Sequence, residues 1–167
     1  MKPSKVWGVS LPLPPSHLLR QVFDHCTDYR EALACLRDTP LCIPVFFTLA
    51  GNEPGEGCII ERTEREAIVH PAPTAIANHW IAIQRPGRQR GRNSQARRAQ
   101  MMTAMTAHNP DFAWVTPPIA NCDTRVSAEM NPATGEFTLQ GWEGVEPVTE
   151  ILRLREDPLP QLDEMLG

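Results

Sequence analysis

An apolar run, Ile43-Pro44-Val45-Phe46-Phe47-Thr48-Leu49, stops at the turn Gly51-Asn52-Glu53-Pro54-Gly55-Glu56-Gly57 and resumes as Cys58-Ile59-Ile60-Glu61-Arg62. β-Branched and aromatic residues on both sides of a Gly/Pro/Asn cluster predict two strands joined by a turn. The first run is continuous rather than alternating, which predicts a buried central strand. Thr63-Glu64-Arg65 turns the chain again into Ala67–His70, a third short stretch of strand character.

The flanking segments read differently. Lys5–Leu11 alternates loosely as a strand, and Pro14-Pro15-Ser16 opens a helix with Leu18, Leu19, Val22 and Phe23 at helical spacing. Thr27 or Asp28 caps a second helix whose apolar face is Ala32, Leu33, Cys35 and Leu36, ended by Pro40. Trp80, Ile81 and Ile83 are expected inside, whereas Arg85–Asn93 is rich in Gly, Arg and Pro and reads as an exposed loop. Ser94 is placed to cap a helix over Gln95–Ala107, stopped by Asn109-Pro110. Thr124–Met130, the turn Asn131–Gly135 and Glu136–Trp142 predict another strand pair. Helices, hairpins, a helix and a hairpin, without regular β-α-β alternation, indicate an α+β fold with a mainly antiparallel sheet. Residues 147–167 are charged and punctuated by proline, and they read as an appendage to a domain spanning 1–146.

Composition narrows the function classes. A net charge of −4 argues against general nucleic-acid affinity, and no run approaches the ~18 apolar residues of a membrane span. Met1–Leu13 is broken by prolines and lacks the apolar core of a signal peptide. Five cysteines (Cys26, Cys35, Cys42, Cys58 and Cys122) form no CxxC pair, so reduced thiols in a cytoplasm are expected, each a small buried or half-buried residue. No HxxxH, HExxH or Gly-Lys phosphate loop is present, so neither metal nor cofactor is expected. Arg85, Arg88, Arg90, Arg92, Arg97 and Arg98 fall within fourteen residues with no acid among them. They could grip phosphates, but no aromatic residue is interleaved for base stacking, and a solvated loop is the simpler reading.

Several features agree in order: Tyr29-Arg30-Glu31-Ala32-Leu33, then Pro44-Val45-Phe46-Phe47, then Gly51–Arg62, Asn78-His79-Trp80, Ser94-Gln95-Ala96-Arg97-Arg98, and a strand-turn-strand containing Asn131-Pro132-Ala133-Thr134-Gly135-Glu136-Phe137. This order, over roughly Leu13–Trp142, resembles the C-terminal part of the acid ceramidase and N-acylethanolamine amidase group, related to penicillin acyltransferases and choloylglycine (bile-salt) hydrolases. The resemblance implies an N-terminal-nucleophile hydrolase, an αββα sandwich of two mainly antiparallel sheets between helices. It implies hydrolysis or acyl transfer at a linear carbon–nitrogen amide bond of an N-acyl substrate. In such enzymes self-cleavage exposes a cysteine whose own α-amine, titrating near neutrality, handles the proton. Asn78 then matches the side-chain donor of the oxyanion hole, and Arg97 the arginine that orients polar groups of the site. On the residues alone, Asn78 also reads as a turn-stabilising amide and Arg97 as a solvated helix residue. Asn52 and Glu56 are expected to be structural parts of their turn.

The sequence departs from the pattern at the nucleophile. That cysteine lies on a strand before the matched region, followed by an arginine and an aspartate, and none of the five cysteines here sits in such a context. The nucleophile is therefore expected from a separate N-terminal half, or else the chain is a non-catalytic binding or scaffolding domain of the same ancestry. A missing half would leave a sheet face and edge exposed, favouring association with that half or with a second copy.

Overall fold

Prolines 14 and 15 begin the first helix, α1 (Pro15–His25), where the missing proline N–H is one of the amides that has no intrahelical acceptor. Leu18 and Val22, one turn apart, are buried, but Leu19 is 37% and Phe23 81% exposed. The four apolar residues expected on one packed face thus split into two stripes about 100° apart, and only one is covered. In α2 (Tyr29–Asp38), Asp28 is the N-cap and its carboxylate accepts the Glu31 N–H at 2.8 Å. Glu31 reaches back to the Thr27 N–H at 2.9 Å, so two exposed amide ends are satisfied reciprocally. The computed structural model describes residues 12–85, 91–107 and 111–154. The expected strand Lys5–Leu11 and most of the appendage lie outside them.

The hairpin forms as the sequence indicates. Strands β1 (Val45–Ala50), β2 (Gly57–Arg62) and β3 (Ala67–Pro71) make an antiparallel sheet in the order β1-β2-β3. β2, not β1, is the middle strand. All of Cys58–Arg62 is buried, whereas β1, apolar but for Thr48, lies on a flank of the described sheet. The intervening turn closes with Gly51 N–H donating to Glu56 O at 2.8 Å. Gly55 adopts φ +87°, open to glycine at no steric cost. Glu56 accepts the Glu53 N–H at 3.2 Å, a structural role as expected.

Register assigns each face. Val45, Phe47 and Leu49 stand opposite Arg62, Ile60 and Cys58, and Val69 opposite Ile60. These residues pack with Leu18, Val22, Ala32, Leu36 and Leu41 in the core beneath the two helices. The alternate residues Phe46, Glu61, Ile68 and His70 point to the other face, because successive strand side chains alternate. That second face carries the chemistry described below.

Arg62 is 1% exposed and caps the end of α2. Its guanidinium donates to Leu36 O at 2.8 Å and Thr39 O at 2.6 Å, filling carbonyls the helix terminus leaves open. Burial lowers its pKa and Asp38 opposes that shift. Arg62→Ala is expected to cost about 2–3 kcal/mol, since two carbonyls lose their donors beside a cavity. Urea unfolding measures it; an unchanged midpoint would contradict this cap.

The chain divides into two compact units, with the sequence boundary after Ser94. The second contains most of α3 (Ser94–Thr106) and a sheet of β4 (Val126–Asn131), β5 (Glu136–Glu143), β6 (Glu146–Pro147) and β7 (Leu152–Leu154). The β4–β5 turn is held by Asn131 Oδ1, which accepts the Ala133 N–H at 3.1 Å. Residues beyond Pro147 do not all hang off the domain: β7 pairs with β5, Leu152 opposite Leu139 and Leu154 opposite Phe137. One face of this sheet packs Trp142 with Phe112, Val115 and Ala120, and the Trp114 indole donates to Glu129 on the same side. The other face aligns Val126, Met130, Leu152 and Leu154, which are 61%, 70%, 52% and 49% exposed. The observed architecture is α+β, with three helices and two antiparallel sheets among the described residues.

Candidate functional site

Glu61 sits at the middle of the first sheet and is fully buried. A buried carboxylate is costly unless every lone pair finds a donor. Here the donors come from a loop about twenty residues downstream. Glu61 accepts N–H groups from Ile81, from Ala82 at 2.9 Å and from Ile83 at 3.3 Å. The fourth donor is His70 Nε2 on the neighbouring strand, at 3.1 Å; facing an ionised carboxylate, which only accepts, that nitrogen carries the proton. Burial by itself would raise the carboxyl pKa. The three amides and the imidazole outweigh it, and the pKa lies below the ordinary glutamate value.

The loop so fastened carries Asn78-His79-Trp80. Trp80 meets the edge of Phe46 on β1 with ring centroids 4.6 Å apart, on the same face as Glu61. At the other end of the loop, Ser94 Oγ accepts the Asn78 N–H at 2.7 Å and lies 2.7 Å from His79 Nδ1. Sequence reasoning placed Ser94 as a helix cap. The structure turns its hydroxyl to the loop instead, and Ser94 is 2% exposed. A Ser–His pair this close invites comparison with a nucleophile and its base. Its burial and its bond to the Asn78 amide give it the work of an anchor.

Of the two candidate residues, Asn78 is exposed at one fastened end of the loop, in the first unit. Arg97 is half-buried on α3, in the second unit. Arg85 is tied to Glu64 by an exposed two-pronged ion pair at 2.8 and 3.2 Å, while Arg88 and Arg90 lie outside the described residues. Arg97 and Arg98 are both half-buried, so the arginine series is not one solvated stripe.

The thiols divide by position. Cys58 is buried in β2 next to Tyr29, whose phenol is pushed up to about 12 by burial and by its hydrogen bond to Cys58. Burial, then the neighbouring Cys35 thiol, raises Cys26. Cys42 and Cys122 are exposed, a correction to the expectation that all five would be at least half-buried. Among the described residues no group of three His, Cys, Asp or Glu is arranged to hold a metal ion, and no helix is long and apolar enough to cross a membrane.

Comparison with known proteins relates this chain to the acid ceramidases. It is 36% identical to acid ceramidase of Homo sapiens over 67 residues, 40% of this chain and 17% of that protein. With the Rattus norvegicus protein the identity is 39% over 67 residues, with the same coverage. The Mus musculus protein is 28% identical over 131 residues, 72% of this chain and 33% of the relative. The similarity is distant and partial, and the chain spans from about a sixth to a third of the length of these relatives. No protein-family model matches.

Proposed function

We propose that this chain is the C-terminal part of an amidase acting on N-acyl amides, with its nucleophilic cysteine carried by an N-terminal half. The observation that carries the reading is the mounting of Asn78. An exposed carboxamide stands on a loop whose backbone is fastened at both ends by buried side chains, Ser94 at its own N–H and Glu61 three to five residues on. An oxyanion donor needs such a support, since a preformed dipole stabilises developing charge only if it does not have to reorient. The relationship to acid ceramidases, amide hydrolases by name, supplies the reaction class. In this reading the Asn78 side-chain N–H bonds the carbonyl oxygen as it becomes an oxyanion. None of the five cysteines here fits the attacking thiolate: Cys58 is sealed in β2, Cys26 and Cys35 flank the helical core, and Cys42 and Cys122, though exposed, stand on no strand. An N-terminal half with a strand-borne cysteine followed by Arg and Asp is the partner that fits.

The test is amide hydrolysis with the chain alone and with that half added, using an N-acyl amide with a chromogenic amine. Turnover that requires both polypeptides is the expected result. Hydrolysis by this chain alone, undiminished when all five cysteines are changed to serine, would overturn the proposal. So would a mixture that binds but never turns over, which would make the chain a scaffolding domain.

A further inference from the structure

We infer that Glu61 is the positioning residue for Asn78, holding the oxyanion donor in place through the backbone of residues 81–83. The inference rests on the reading of Asn78 given above, and extends it to a residue that touches no reacting atom. Glu61 is fully buried and, among the described residues, pairs with no arginine or lysine, which is an expensive arrangement for a strand that could carry an apolar side chain. Its neighbours at odd and even positions show what else the site tolerates: Ile59 on the same face and Ile60 on the other are both buried. What the carboxylate adds is a single acceptor shared by three successive amides of an irregular loop, which has no strand partner to satisfy them.

The geometry ties that acceptor to Asn78 by a short route. From the Ile81 amide, three residues of backbone lead to Asn78, and Trp80 between them is wedged on Phe46. Beyond Asn78 the Ser94 hydroxyl closes the frame. The groups facing Glu61 are few. From β3 it meets His70, from β1 its cross-strand neighbour is Phe46, and from the loop it meets backbone N–H groups. His70 is the one side chain bonded to it among the described residues, so the clamp consists of the carboxylate, three backbone amides and one imidazole.

Three measurements on the full chain test this. The Asn78 side-chain amide resonance, followed by NMR in the wild type, should shift with acid at a midpoint below the ordinary glutamate range. In Glu61→Gln the same resonance should be flat over that range, because the amide side chain does not ionise. Hydrogen exchange at Asn78, Ile81, Ala82 and Ile83 should quicken at least ~10-fold in Glu61→Gln, while Ile60 and Val69 in the sheet keep their rates. Exchange at Asn78 that is unchanged, with Ile81–Ile83 alone accelerated, would overturn positioning and leave Glu61 as a local staple. Should Glu61→Gln fail to fold, the wild-type titration decides alone: an Asn78 signal indifferent to acid overturns the inference. The third measurement is turnover with the N-terminal half added, where Glu61→Gln should lower kcat and leave KM within twofold. Faster exchange at Asn78 with kcat untouched would keep the coupling and overturn instead the role of Asn78 in the reaction.

Discussion

Glu61→Ala is expected to destabilise the first unit by about 3–5 kcal/mol, the range for removing one side of a buried charge-assisted cluster. The truncation leaves three backbone N–H groups and His70 without their acceptor, and a buried donor so stranded costs roughly 1–3 kcal/mol before any non-additivity. A cavity the size of the lost carboxyethyl group adds to the cost unless water enters it. Chemical denaturation followed by Trp80 fluorescence reads the loss; a change below ~1 kcal/mol would mean that solvent already serves these amides. The sign of the pH dependence follows from the lowered pKa of Glu61. Its contribution is complete above the unfolded-state value, near ~4.3, and is lost as the pH falls through the lower folded value. The wild-type chain should therefore hold this part of its stability at pH 5 and surrender it only in stronger acid. Glu61→Gln should flatten that portion of the curve.

The elements of this fold were legible where local chemistry decides them. Proline at the start of α1, Asp28 before α2 and the Gly/Pro turn before β2 each act on neighbours within four residues, and each appears where the sequence puts it. What local chemistry does not decide is the order of strands. Ile43–Leu49 is the more apolar run, yet the middle strand is β2, which carries a glutamate and an arginine. Those two charges pointed away from burial by composition. They are buried because Glu61 finds backbone donors twenty residues later and Arg62 finds carbonyls more than twenty residues earlier. No spacing rule connects such partners.

The candidate site was legible only in part for the same reason. Asn78 was reachable from the order of motifs, but the frame around it was not. The place of Ser94 before a helix predicts a cap, and its hydroxyl goes to the loop instead because the Asn78 amide and the His79 ring lie against it. Glu61 carries one signal of this: an acid that directly follows the apolar run Cys58-Ile59-Ile60 within a strand is either at an edge or satisfied by something distant. The bare stripe of Val126, Met130, Leu152 and Leu154 was likewise invisible until register aligned three strands of different segments.

The second large effect belongs to Asn78 itself. Loss of one oxyanion donor typically lowers turnover by about 10²–10³-fold. Asn78→Ala should reach that range without a comparable loss of stability, because the bond to Ser94 is made by the backbone N–H and survives the substitution. Asn78→Asp tests the same point from the other side, since it keeps the shape while replacing a donor with an anion. The decisive measurement is kcat for an N-acyl amide, with the cysteine-bearing half supplied, in the wild type and in Asn78→Ala at matched melting temperature. A fall of at least ~100-fold with KM little altered is the predicted result; an unaltered kcat would contradict the claim that this loop is built to present a carboxamide to the reacting carbonyl.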